Sequence, residues 1–154
     1  MSKLTLAQAS TIVDQALAKG RELKFHPLTV SVLDPGGTLV ALKREDESSL
    51  LRPEIATGKA WGALGMGFGG RELARRAAAQ PQFIGALIDA SGGRMVPGIG
   101  GVLIRSAGGE LIGAVGISGD TSEKDEYAAI VGIRAAGLTP DPAEPDPNWR
   151  GTGL

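Results

Sequence analysis

Apolar residues recur at helical spacing in the first segment of the chain. Thr5-Leu6-Ala7-Gln8 has the form of a capping box, in which a threonine and a glutamine three residues later satisfy free backbone amides. The apolar positions that follow repeat every three or four residues. They are Leu6, Ala9, Ile12, Val13, Ala16 and Leu17. This pattern predicts a helix from about Leu6 to Lys24.

Two stretches of apolar residues, each interrupted by glycines, predict β-hairpins. "LTVSVLD" and "TLVALK" flank Asp34-Pro35-Gly36-Gly37, where proline fixes one φ and glycine permits a positive one. We therefore predict a hairpin over residues 28–43. "GVLIRSAGGELIGAVGIS" predicts a second hairpin that turns at Gly108-Gly109.

The segments between and after the hairpins have helical character. Pro53 suits a first helical position before "EIATGKAWGALGMG", and "RELARRAAAQ" and "QFIGALIDA" predict two further helices. A last helix is predicted from about Thr121 to Ala136, ending before Gly137. The order helix, hairpin, helices, hairpin, helix indicates an α+β fold, an antiparallel sheet covered by helices.

The character of the chain changes after Leu138. "LTPDPAEPDPNWRGTGL" contains four prolines, which disfavour a regular helix or an interior strand. We therefore divide the chain into a domain over residues 1–138 and a proline-rich acidic tail over residues 139–154. The tail is either disordered or anchored by Trp149 on its own or a neighbouring subunit.

Composition and charge exclude several classes of function. Sixteen basic and seventeen acidic residues in 154 give a net charge of −1, which provides no general attraction for nucleic acid or a membrane surface. The absence of cysteine excludes thiol chemistry, and the single histidine excludes a multi-histidine metal site within one chain. Because no apolar run approaches a membrane span or a signal peptide, we expect a cytoplasmic protein.

The last helix begins with a cluster of acids after a glycine-rich strand, in "GISGDTSEKDE". Acids at this position complement the helix dipole, and Asp120 with Glu123 has the spacing of a capping box. They would also repel phosphate, so we do not expect a phosphate site. Either Asp125 or Glu126 is a candidate to face a cleft at the end of the strand.

Lys59 lies within a small apolar helical row, between Ile55 and Ala63. It is either a side chain that extends to solvent at the edge of this row or a cation that binds an anion or transfers protons. The neighbouring row contains Gly58 and Gly62, where another backbone can approach closely. This row, the low aromatic content and Trp149 together predict a homo-oligomer.

Two isolated side chains are further candidates. Arg44 ends the second strand in "KREDES" and is either a clamp for a carboxylate or part of a solvated loop. His26 lies between the first helix and first strand, where a lone histidine is either structural or a ligand.

The segment from Gly92 to Gly137 resembles the GlcG/HbpS-like family, also described as a haem-degrading or haem-binding domain. The matching features are Gly100-Gly101, Ile104-Arg105, the glycine-rich run Gly113–Gly119 and the acid Asp125. "VSVLDPGGTLVALKRED" and the helix containing Ala56, Lys59 and Ala60 match the front half of the family. The resemblance covers about residues 5–138.

The resemblance implies a profilin-like α/β/α sandwich that assembles as a dimer, tetramer or octamer. It also implies haem as a cofactor, with His26 as the axial candidate and Met66, Met95 and Tyr127 as weaker ones. Arg44, Lys59 and Arg105 are candidate partners for the propionates. We expect a small-molecule site formed by Lys59, Arg44, Gly100, Gly101, Asp125 and Glu126. The alternative functions are a catabolic enzyme, or an accessory subunit, that acts on a small carboxylate or aromatic acid.

Overall fold

The computed structural model describes residues 3–151 as five helices around one five-stranded sheet. Residues 1–2 and residues 152–154, the end of the predicted tail, lie outside the described residues. The elements in chain order are α1 Leu6–Glu22, β1 Thr29–Leu33, β2 Leu39–Arg44, α2 Arg52–Met66, α3 Gly70–Ala79, α4 Pro81–Ala90, β3 Gly101–Arg105, β4 Leu111–Ser118, α5 Ser122–Ala135 and β5 Thr139–Asp141.

The sheet has the strand order β2-β1-β4-β3-β5, and all of its neighbours are antiparallel. Both predicted hairpins are present, and β1 and β4 join them at the centre of the sheet. Every residue of β1 is buried, whereas β2 forms a partly exposed edge. The predicted α+β class is confirmed.

Helices cover both faces of the sheet, which gives three layers. On one face, α1 and α5 pack on alternate residues of the central strands, among them Val30, Val32 and Val115. On the other face, α2 packs on Leu33, Leu103 and Ala114 through Ala60 and Ala63. This alternation follows from the two-residue period of a strand, which sends successive side chains to opposite faces.

Glycines bring the helix backbones unusually close to their neighbours. A Cβ atom at Gly116 of β4 would lie 1.8 Å from the carbonyl oxygen of Ala56 in α2. A Cβ atom at Gly132 of α5 would lie 2.5 Å from the carbonyl oxygen of Ile12 in α1. These two glycines therefore allow close packing within the three layers.

The glycine row of α2 also packs within its own chain, which corrects our expectation of a subunit contact there. A Cβ atom at Gly58 would lie 2.4 Å from the side chain of Val96, and one at Gly62 would lie 2.9 Å from Met95. The segment that follows α4 therefore occupies the surface that this row leaves open.

The ends of two helices differ from the sequence predictions. Helix α1 begins with the predicted capping box at Thr5 but ends at Glu22, because Lys24 adopts a positive φ of 60°. Helix α5 is capped by Thr121, whose side chain accepts a hydrogen bond from the amide of Lys124. Asp120 instead accepts hydrogen bonds from the amides of His26 and Thr121, so it is not the predicted cap.

The beginning of the tail is ordered on the domain surface. Strand β5 extends the sheet by pairing with β3. Trp149 is only 9% exposed and stacks on Tyr127 with ring centroids 3.9 Å apart, while Phe25 meets it edge-on at 6.1 Å. Trp149 therefore anchors the tail on its own subunit.

Candidate functional site

Four of the predicted site residues meet where β4 ends and β3 begins. The Lys59 ammonium donates to the carbonyl oxygen of Ile117 at 2.9 Å and lies 3.4 Å from Oδ2 of Asp125. Glycines make room for this side chain, since a Cβ atom at Gly100 would lie 3.0 Å from Nζ of Lys59. One at Gly101 would lie 2.4 Å from the Lys59 carbonyl oxygen. We call Lys59, Gly100, Gly101, Ile117 and Asp125 the Lys59 cluster.

Burial dominates the electrostatics of the Lys59 cluster. Lys59 is 6% exposed, so its ammonium does not extend to solvent. Burial lowers the pKa of Lys59, and the nearby carboxylate of Asp125 only partly offsets this. Burial raises the pKa of Asp125 to about 6, against the opposing effects of Lys59 and of the Asp120 amide that donates to Asp125. Shifts of this kind favour the neutral form of each group.

Glu126 belongs to a different ion pair. Its carboxylate is fully buried and accepts hydrogen bonds from both Nε and Nη2 of Arg71 in α3. Burial raises the pKa of Glu126, although Arg71 acts in the opposite direction. Asp125 and Glu126 thus tie the start of α5 to α2 and α3 respectively, and Asp125 is the acid that faces Lys59.

Within residues 3–151, no hydrogen bond or ion pair joins Arg44 or His26 directly to the Lys59 cluster. Arg44 ends the edge strand β2 and donates from Nη1 to the Ser48 carbonyl oxygen at 2.7 Å, so it holds the following loop. His26 is exposed before β1, and its backbone amide donates to Asp120 at 2.7 Å. The ligand-binding roles of both residues stay predictions.

An open cavity of about 550 Å³ lies beside α2, between the β1–β2 turn and the segment after α4. A volume of this size suits a small organic ligand. Its walls combine glycines, one indole, one guanidinium and a few polar side chains. They are Gly36, Gly37, Thr38, Pro53, Glu54, Thr57, Gly58, Trp61, Gly93 and Arg94. We call it the Trp61–Arg94 cavity.

The indole of Trp61 is held in place by glycines at two of its edges. A Cβ atom at Gly37, where φ is +82°, would lie 2.8 Å from Nε1 of Trp61, and one at Gly65 would lie 3.2 Å from Cζ3. The Asp34 side chain fixes the turn by accepting hydrogen bonds from the amides of Gly36 and Thr38. The aromatic wall is therefore formed before any ligand arrives.

Arg94 supplies the positive charge of the Trp61–Arg94 cavity. Its guanidinium carbon lies 4.3 Å from the centroid of the Trp61 ring, and Nε donates to the Ser91 carbonyl oxygen at 2.7 Å. The Val96 amide donates to the Gly58 carbonyl oxygen at 3.0 Å, which fixes the segment against α2. Within residues 3–151, the two terminal nitrogens of Arg94 have no hydrogen-bond partner.

Sequence reasoning missed this cavity. Trp61 lies inside the predicted helix "EIATGKAWGALGMG", and the sequence predicts no role for Arg94. The one available signal was the Asp-Pro-Gly-Gly turn at residues 34–37, whose glycines now form one wall. The approach of Arg94 to Trp61 depends on the path of the chain after α4, which no local pattern encodes.

The cavity fits a flat acidic ring but not a histidine-ligated iron. None of its lining residues offers an imidazole, a thioether or a phenol. His26 precedes β1, whereas Gly36 and Gly37 follow it, so the only imidazole lies beyond the opposite end of that strand. Met95 is buried beneath α2, Met66 packs beside it, and Tyr127 stacks on Trp149.

Within residues 3–151, no group of three or more histidine, cysteine, aspartate or glutamate side chains is arranged to hold a metal ion. None of the helices in that range is long and apolar enough to cross a membrane.

Comparisons with known proteins place the fold in a family. A structure described as a PduOC:heme complex matches with a TM-score of 0.80 and 28% identity, over 89% of this chain and 97% of that one. Protein ORFY of Klebsiella pneumoniae matches with a TM-score of 0.79 and 29% identity, over 89% and 93% of the two chains. HbpS matches with a TM-score of 0.75 and 25% identity, over 87% and 90%.

A search of curated proteins gave no significant match. The family model described as "Haem degrading protein HbpS-like" matches residues 4–134, which is most of the chain. The predicted resemblance is thereby confirmed, and the chain belongs to the HbpS-like family.

Proposed function

We propose that this protein binds a small planar ligand, haem or a related tetrapyrrole, in the Trp61–Arg94 cavity. The observation that carries the proposal is the rigid indole beside a guanidinium whose terminal nitrogens have no partner within residues 3–151. The family description and the haem complex of PduOC support this class of ligand. No lining residue is assigned to the iron.

Different walls of the cavity would bind different parts of such a ligand. Trp61 and Pro53 offer apolar surface to the ring, and an aromatic contact contributes about 0.5–1.5 kcal/mol beyond the burial of area. Arg94 offers two parallel donors to a carboxylate, and this bidentate pairing is the one for which a guanidinium is best suited. The glycines of the lining let the ring approach the backbone closely.

Titration with hemin tests this function. We expect a saturable shift of the Soret band that Arg94→Met and Trp61→Leu each weaken by about tenfold, equivalent to roughly 1.4 kcal/mol. His26→Ala serves as the control and should leave the shift unchanged, because His26 does not line the cavity. The absence of a saturable shift would contradict the haem proposal. A shift lost only in His26→Ala would place the haem site at His26 instead of in the cavity.

A second candidate function is turnover of a small carboxylate or aromatic acid, as an enzyme or an accessory subunit. The Lys59 cluster favours it, since a lysine of lowered pKa beside an aspartate of raised pKa is an arrangement found at acid–base sites. Lys59→Met keeps the length of the side chain and removes the charge. A tenfold loss of turnover in a folded variant would support this function, and unchanged turnover would make Lys59 structural.

We further propose that the protein is a homo-oligomer, as a dimer, tetramer or octamer. Several large apolar side chains are exposed on the subunit, with Leu50 90%, Leu51 61% and Phe83 54% exposed. Burial of such side chains between subunits would remove apolar area from water. Light scattering should give a mass that is a multiple of 15.7 kDa. A monomer at every concentration would contradict the proposal.

A further inference from the structure

We propose that the Trp61–Arg94 cavity recognises a planar aromatic carboxylate by its ring and its acid group alone, without any contribution from a metal. Iron-free porphyrins and small aromatic carboxylates, such as a naphthoate, are then ligands of this cavity. The inference rests on the proposed function for its site, but it concerns which parts of the ligand are recognised: the ring and the acid group, and not a metal.

The lining of the cavity suits a carboxylate better than a metal centre. Its polar side chains are two threonines, one glutamate and one arginine, and none of these is the imidazole, thioether or phenol that commonly holds haem iron. Arg94 is the only cation among the lining residues. The carboxylate of a ligand therefore has one defined partner, whereas the lining provides no side chain of the kinds that commonly bind haem iron.

Trp61 and Arg94 are partly held in position before a ligand binds. Gly37 and Gly65 hold two edges of the indole, and the Ser91 carbonyl oxygen fixes Nε of Arg94. The indole of Trp61 needs little ordering when a ligand binds, and Nε of the exposed Arg94 is already held, which reduces the entropic cost of association. The group that best complements Arg94 is a carboxylate, because its two oxygens can accept hydrogen bonds from both terminal nitrogens at once.

Glu54 opposes the binding of an acid group. It lines the same cavity, and its carboxylate would repel the carboxylate of a ligand. Arg94 is therefore the one lining residue whose charge attracts the acid group. Glu54→Gln removes this repulsion and should raise the affinity for a naphthoate severalfold.

The test uses the fluorescence of Trp61. The chain has two tryptophans, so Trp149→Phe leaves Trp61 as the only reporter. We expect 2-naphthoate and iron-free protoporphyrin IX to quench this fluorescence saturably, and the uncharged analogue 2-naphthamide to bind at least tenfold more weakly. Calorimetry on the unmodified protein, with the same three compounds, gives the comparison independently of the substitution.

A matched control isolates the role of the guanidinium. Arg76 also lies over an aromatic ring, with its guanidinium carbon 4.3 Å from the centroid of Phe68, but it does not line the cavity. Arg94→Met should reduce the affinity for 2-naphthoate to that for 2-naphthamide. Arg76→Met should leave both affinities unchanged.

The outcomes separate this inference from the proposed function. If hemin binds and neither protoporphyrin IX nor 2-naphthoate does, the inference is overturned and haem binding stands. If 2-naphthoate binds through Arg94 and hemin does not, the inference stands and haem binding fails. Equal affinities for 2-naphthoate and 2-naphthamide would also overturn the inference.

Discussion

At the scale of single residues, Lys59 and Asp125 form a buried ion pair that links α2 to the start of α5. The lysine is unusual in the sequence because it lies in an apolar helical row, whereas acids at the start of the last helix also have an ordinary role at the helix dipole. The structure brings Lys59 and Asp125 within 3.4 Å. The sequence left Asp125 and Glu126 as equal alternatives. Only the folded structure distinguishes their roles, because neighbouring residues on a helix point in directions about 100° apart and therefore meet different helices.

The buried carboxyl of Asp125 predicts a specific pH dependence of stability. Burial raises its pKa to about 6 from 3.8, so the folded protein binds this proton more tightly than the unfolded chain does. Its contribution to the free energy of unfolding is fully present below about pH 4 and is lost as the pH rises through about 6. Asp120 opposes this trend, because hydrogen bonds from the amides of His26 and Thr121 outweigh its burial and lower its pKa.

Urea unfolding between pH 4 and pH 7 measures this contribution by difference. The free energy of unfolding of the wild type minus that of Asp125→Asn should fall across the window, since the variant has no group to ionise. Lys59→Met should move the fall to higher pH, because Lys59 is the cation that holds the pKa of Asp125 down. A difference that is constant with pH would contradict the shifted pKa.

At the scale of elements, most of the fold could be predicted from local patterns. The capping box, the proline at the start of α2 and the glycines of both hairpin turns each specify a boundary that the structure contains. Strand β5 could not be found this way, because Pro140 within it and Pro142 directly after it argue against an interior strand. It forms at the edge of the sheet, where only β3 needs to supply hydrogen bonds.

The contact between α2 and β4 predicts that Gly116→Ala destabilises the protein. The added methyl group would lie 1.8 Å from the Ala56 carbonyl oxygen, so the helix must move away from the sheet. We expect a loss of about 1–3 kcal/mol or more, the usual cost of overpacking. Gly85→Ala in α4 is the control, since nothing lies within 4 Å of the added methyl group and helix propensity favours alanine by up to about 1 kcal/mol. Chemical denaturation that ranks Gly116→Ala at or above the wild type would contradict the close packing.

At the scale of the whole molecule, the three layers follow from the alternation of the strands, but the attachment of the tail does not. The sequence left disorder and anchoring as alternatives for residues 139–154, and the stacking of Trp149 on Tyr127 decides in favour of anchoring for the described part. Trp149 joins the described part of the tail to α5 through Tyr127 and to Phe25, which follows α1.

Trp149→Ala should release the tail without unfolding the domain. The variant loses the ring contacts with Tyr127 and Phe25, while the core of the three layers keeps its own contacts. Limited proteolysis should then cleave rapidly within residues 142–151 and leave a stable fragment. Equal resistance of the variant and the wild type would show that other contacts hold the tail.

The central claim, that the ligand enters the Trp61–Arg94 cavity, can be tested directly with the two tryptophans of the chain. Each gives one indole N–H resonance in the NMR spectrum of ¹⁵N-labelled protein, and the loss of one in Trp149→Phe assigns both. Trp61 lines the cavity, whereas Trp149 is stacked on Tyr127 away from it. On titration with protoporphyrin IX, we predict that the Trp61 resonance moves saturably while the Trp149 resonance stays. Binding that leaves the Trp61 resonance unmoved would contradict the account.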